Sequence, residues 1–208
     1  MAQPFGVPQI KDYLVRMGLK IAHINEEQEL VELAFHGSQG QWRMIIGFQQ
    51  DGDIRKLMFI IPHVAVVTHK RRLECLEALL AVNYRIAMGK FGLDLEDGEV
   101  RLEEAIPVAL GEITFEQFQL VFSALMQTMA VYHSLIPRLV YSTLSVKEAL
   151  EACERDFVQE IQGDKDDEQA KDEEPKDETS PLPSREPPEL DVSDVLAELS
   201  RILEEKSE

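Results

Sequence analysis

The feature that most constrains what this chain can fold into is a change of composition near Gln162. Before it, apolar residues recur at strand and helix spacings, over a length that suits one domain burying roughly two-thirds of its unfolded surface. After it, from Gly163 to Glu189, large apolar residues nearly vanish and Asp, Glu, Lys, Ser and Pro take over. From Leu190 to Leu203 an amphipathic pattern returns. Only the first stretch can build a core. The chain therefore reads as a body at 1–161, a disordered acidic linker at 162–190 and an amphipathic helix at 191–206.

Charge follows the same division. The formal net charge is −18, and from Gln162 onward there are 17 acidic and 6 basic residues. Such a chain repels phosphate backbones and anionic lipid, so no nucleic acid and no membrane are expected as partners. The two cysteines, Cys75 and Cys153, fall among apolar residues and read as buried thiols. No signal-peptide pattern opens the chain. The longest apolar candidate, Leu57 to Val67, is interrupted by Pro62 and His63 and is too short to span a bilayer. The expected compartment is the cytoplasm.

Val7, Ile10, Tyr13, Leu14 and Met17 mark a first helix, with Gly18 placed to close it. Three runs then alternate at period two: Val31, Leu33, Phe35; Trp42, Met44, Ile46, Phe48; Leu57, Phe59, Ile61. Short Gly-rich turns between them predict an antiparallel meander. The opposite faces are also apolar in part, at Leu30, Ala34, Ile45, Met58 and Ile60. A sheet with one solvated face should alternate more cleanly, so this second face is expected to be covered by the protein's own helices, a second subunit or a ligand segment.

Lys70 to Met88 predicts a helix with two apolar stripes, one of Leu73, Leu76, Leu80 and Tyr84, the other of Cys75, Leu79, Val82 and Ile86. Both stripes are expected to be buried, either with the helix inside the domain or with one stripe in a dimer contact. Asp97-Gly98 predicts a two-residue hairpin that sets Leu93 opposite Leu102 and Leu95 opposite Val100. Thr114 to Gln117 and Ser145 to Glu148 are capping boxes, each opening a helix. Pro137 bends or ends the first of these helices. The order of elements gives an α+β domain: an antiparallel sheet of meander plus hairpin, packed with helices.

The segments Asn83-Tyr84-Arg85, Gly89-Lys90-Phe91-Gly92-Leu93-Asp94 and Gly98-Glu99-Val100-Arg101, with the long helix after them, resemble the YbjN-like family. That family is similar in fold to the type III secretion chaperones. The resemblance runs from about Val7 to Ser142 and implies a non-enzymatic regulator or chaperone-like binder. It brings no catalytic motif with it.

The residues themselves supply no catalytic, cofactor-binding or metal-binding set. His23, His36, His63, His69 and His133 lack metal-ligand spacing, and no phosphate loop, dinucleotide loop or nucleophile elbow occurs. Glu103 and Glu104 read as a solvated strand end. Lys70-Arg71-Arg72 reads as a solvated basic run, or as a dock for the acidic linker or an acidic partner. The leading expectation is a protein-binding module that holds a segment of a partner protein on Ile45, Met58 and Ile60. Val195, Leu196, Leu199 and Ile202 of the terminal helix form a second contact set. A homodimer whose role is assembly, and an enzyme with an unrecognised site, are the alternatives.

Overall fold

The computed structural model describes residues 5–37, 40–108 and 112–171. It opens with α1 (Val7–Arg16), which buries Ile10 and Leu14 and takes the Gln9 side chain back to the Gly6 N–H. Beyond Gly18, the Leu19 N–H returns to the Leu14 carbonyl at 2.9 Å and ends the helix, as the sequence predicts. The strands β1 (His23–Asn25), β2 (Leu30–Gly37), β3 (Gly40–Asp51) and β4 (Ile54–Val66) follow as an antiparallel meander. β5 (Lys90–Leu93) and β6 (Glu99–Pro107) complete a six-stranded sheet in the order β1-β2-β3-β4-β6-β5.

Period-two alternation decides which side of this sheet is the core. Val31, Leu33, Phe35, Trp42, Met44, Ile46, Leu57, Phe59, Ile61, Val100 and Leu102 are all buried on one face. The helices gather on that face. α3 (Phe115–Tyr132) sets Phe118 against Phe59 and Phe122 against Phe35, and Tyr13 of α1 packs edge-on to Phe115 and Phe118. The second face is therefore not covered by the protein's own helices among the described residues. One helix layer already buries the continuous apolar face, so the layer rule is satisfied on one side only.

The β5–β6 connection differs from the predicted hairpin. Leu93 pairs with Val100 and Phe91 with Leu102, a register two residues away from the expected one. A two-residue type I′ turn needs positive φ at both central positions, and only Gly98, at 80°, has it. The Asp94 and Asp97 carboxylates instead accept from the N–H groups of Glu96 and Glu99, which makes a wider loop and leaves Leu95 exposed. A shift of two keeps every side chain on its predicted face.

A 3-10 turn (His69–Arg71) leads into α2 (Arg72–Arg85). Of its two predicted stripes, Cys75, Leu79 and Val82 are buried, while Leu73, Leu80 and Tyr84 stand in solvent. Nor is the basic run merely solvated. Arg71 donates to the carbonyls of Ser142 and Leu144, and Arg72 to that of Leu95. These guanidinium groups tie α2 to two loops.

Both capping boxes form: Thr114 with Gln117 opens α3, and Ser145 with Glu148 opens α5 (Val146–Lys171). Backbone and hydroxyl hydrogen bonds from Ser145 hold the Glu148 carboxyl below its ordinary range. Between these helices α4 (Leu135–Tyr141) carries Pro137 in its first turn, where a missing N–H costs nothing. The stretch Phe115–Tyr141 is long and apolar enough by composition to cross a membrane. Its first part, α3, is the core helix of the domain, with Phe118, Val121, Phe122, Leu125 and Met126 buried.

α5 runs ten residues past the boundary drawn at 161. Asp, Lys, Glu, Gln and Ala there tolerate a helix, and the first proline of the linker comes only at Pro175. The remainder of the expected linker and the segment expected to form a terminal helix, with Val195, Leu196, Leu199 and Ile202, lie outside the described residues.

Candidate functional site

Strand pairing brings the three body residues expected to bind a partner into one place. Ile45 is paired directly with Ile60 across β3 and β4, and Met58 is paired with Gly47 in the adjacent row. All three are half-buried on the face of the sheet away from the helices. The rows extend on either side. Leu30, Gly47, Met58 and Ala105 cross four strands in register, and Glu32, Ile45, Ile60 and Glu103 cross the same four one step along.

Together these side chains line an open groove of about 510 Å³. Its apolar part is Leu30, Ile45, Phe48, Met58 and Ile60, and its polar rim is Gln28, Gln49, Arg101 and Glu103. Arg101 and Glu103 hold one another at 3.0 Å, and Arg43 approaches Glu32 at 3.8 Å on the same face. Gly47 sits between Leu30 and Met58. A Cβ there would come within 3.0 Å of Leu30 Cβ and 3.3 Å of the Glu29 carbonyl. The glycine thus lets β2 and β3 close up and leaves a dip in the groove floor. The sequence pattern singles out the three apolar residues and not Gly47, although a lone glycine inside a strand pattern is itself the signal of a close approach.

The groove carries no nucleophile and no acid–base pair. Among the described residues no group of three or more His, Cys, Asp and Glu side chains is placed to hold a metal ion. Its chemistry is apolar burial with charged hydrogen-bonding partners at the edge.

A second cavity, about 340 Å³, lies where α3, α4 and α5 meet, lined by His133, Ser134, Arg138, Cys153, Asp156 and Glu160 among others. Its polar groups satisfy one another. Arg138 pairs with Asp156 at 2.5 Å, and the Cys153 sulfur lies 3.5 Å from the Ser134 hydroxyl. Burial raises the Cys153 thiol pKa, and burial lowers that of the His133 ring, partly offset by hydrogen bonds to the backbone carbonyls of Ala130 and Met129. A thiol kept protonated beside a neutral imidazole is the reverse of an activated cysteine. This cluster ties three helices together.

The edges of the sheet are closed in different ways. β1 is only three residues long. On β5, the Asn83 side chain donates to the Phe91 carbonyl at 2.9 Å and accepts from the Phe91 N–H at 2.7 Å, standing in for one residue of a further strand. Gly89 donates to Glu104 at 2.6 Å, so Glu104 is a half-buried anchor and not a solvated strand end. A Cβ on Gly89 would meet Leu125 at 2.6 Å. At Gly98 a Cβ would meet the Val67 carbonyl at 2.2 Å.

Asn83, Gly89 and Gly98 are thus geometric necessities of the segments that resemble YbjN-like proteins. The sequence model of the YbjN family, described as "Putative bacterial sensory transduction regulator", matches residues 7–135. The chain belongs to the YbjN family. The match runs from α1 to the first residue of α4, so α5 and all that follows lie beyond it. Among solved structures the chain is similar to "YbjN, a putative transcription regulator from E. coli", with TM-score 0.49, 18% identity, and coverage of 65% of this chain and 94% of that one. No curated protein sequence matches.

Proposed function

We propose that this YbjN-family chain is a non-enzymatic regulator that acts as a chaperone-like adaptor, holding an apolar segment of a partner protein in the groove on the outer face of its sheet. The observation that carries the reading is the groove itself: Leu30, Ile45, Met58 and Ile60 on a face that no described helix covers, around a floor opened by Gly47. The family's description as a regulator supports it. The net charge of −18 directs regulation through protein contacts and away from nucleic acid.

The client is held by side chains and not by strand addition. Asn83 occupies the β5 edge at Phe91, and β1 occupies the β2 edge at Leu30–Glu32, next to the groove. Each client Leu or Phe buried against the groove contributes about 1.5–3 kcal/mol before ordering costs. The Arg101–Glu103 pair and the two glutamines supply polar contacts at the rim.

The test is affinity capture from the native cell with the full chain and its Met58→Asp form, with Val15→Asp as a surface control. Val15 is exposed on α1 and lies outside the groove. Loss of the same partner by about tenfold or more in Met58→Asp alone, with unchanged melting, is the expected result. A partner held equally by all three forms rules the groove out.

A further inference from the structure

α2 leaves a second apolar surface that neither the core nor the groove uses. Leu73, Leu80 and Tyr84 are 79%, 71% and 91% exposed. They fall on one face of the helix, over a length of about 16 Å. Single exposed apolar residues need no explanation, but three in a row along one helix mark a contact surface.

The course of the chain says what reaches it. Arg71, at the start of α2, holds the carbonyls of Ser142 and Leu144 just before α5, and Arg85, at the end of α2, pairs with Glu154. The two helices therefore run side by side in the same direction. From Glu154, α5 continues to Lys171, about 25 Å past the end of α2. Residues 172–190 separate that point from the amphipathic segment. A flexible linker of that length has a typical end-to-end distance of about 25 Å. Intramolecular pairing is strongest when linker length matches the span. A linker of that reach can bring the segment back to the C-terminal end of α2, antiparallel along it, whereas the sheet groove is on the far side of the helix layer.

The patterns match in that orientation. Val192 to Leu203 and Leu73 to Tyr84 cover the same number of residues. Asp191 and Asp194 come to the Arg85 end, and Glu204 and Glu205 come to the exposed His69 and Lys70. Arg201 falls within a turn of Glu74 and Glu77. An isolated helix this short is marginal in water, so it gains its structure on docking.

We infer that residues 191–206 form a helix that docks antiparallel on Leu73, Leu80 and Tyr84 of the same chain. Amide exchange on the full chain at several concentrations tests this. Amides of 192–203 exchange about tenfold or more slowly than in Leu199→Asp, equally at every concentration, and Leu80→Asp removes the protection without changing the melting of the body. If Leu80→Asp does change the melting, Tyr84→Ser, at the most exposed of the three positions, replaces it. No protection overturns the inference. Protection that grows with concentration overturns it in favour of a second copy, and protection that survives the α2 variant moves the segment to another surface.

Discussion

Two glycines show how much a single missing side chain decides. Gly98 and Gly52 both have positive φ, 80° and 60°. An added Cβ at Gly52 meets nothing within 4 Å, whereas at Gly98 it meets the carbonyl of Val67 at 2.2 Å. Val67 also donates its N–H to the Gly98 carbonyl at 2.8 Å, so that approach cannot relax without losing a backbone hydrogen bond. Gly52→Ala is expected to cost about 1 kcal/mol, from the conformation alone. Gly98→Ala is expected to cost about 3 kcal/mol or more, read as the shift in denaturant midpoint. Equal shifts would mean that the close approach is absent in solution. His133 works through charge. Burial holds its pKa below the ordinary 6.5, partly offset by the Ala130 and Met129 carbonyls. The unfolded chain therefore takes up this proton before the folded chain does. The neutral ring's contribution is present above the unfolded value and is lost as pH falls through the folded one. Stability measured by urea titration should decline below about pH 6.5, and His133→Gln should flatten that decline. An unchanged slope in the variant would place the ring in solvent.

At the level of elements, Asn83 replaces a strand. Its amide makes two hydrogen bonds to the Phe91 backbone, so Asn83→Ala leaves a carbonyl and an N–H of β5 unpaired at the sheet edge. The expected cost is about 1–3 kcal/mol, with new concentration-dependent association visible by light scattering. A stable, monodisperse variant would show that the edge is protected by something else. What was legible in the sequence follows the same logic of local against distant causes. The alternating runs of β2, β3 and β4 identified the core face because one buried face imposes a period of two on each strand separately. The capping boxes at Thr114 and Ser145 are complete within four residues, and both were readable. The β5–β6 register was not. It depends on Gly98 being drawn against Val67, a contact with β4's end that no local pattern encodes. The same holds for α2. Its two stripes were visible, but which of them met the core depended on the placement of β5 and α5. For the groove, the apolar residues were legible and the floor was not, since Gly47 is explained only by its neighbour Leu30.

At the scale of the whole molecule, the helices on one face of the sheet separate two surfaces that share no residue. The groove belongs to β2, β3, β4 and β6, and the exposed stripe to α2. The acidic segment beyond Lys171 joins the body on the helix side, through α5. If the groove holds a client and the α2 stripe holds the chain's own terminal segment, the two must respond to different variants. Met58→Asp should abolish client capture and leave the exchange of residues 192–203 slow. Leu80→Asp should release that segment and leave client capture intact. Their double form should show both losses without further destabilisation, because sites with no shared contacts contribute additively. A Leu80→Asp chain that also loses its client would mean that client and terminal segment meet on α2. The groove would then be only the solvated back of a one-sided sheet. A Met58→Asp chain whose terminal segment becomes unprotected would mean the opposite, that the segment lies in the groove and competes there with the client. The crossed measurement therefore assigns each surface its occupant, because charge alone cannot: the whole chain carries −18, and an acidic segment is drawn to the exposed cations of either face.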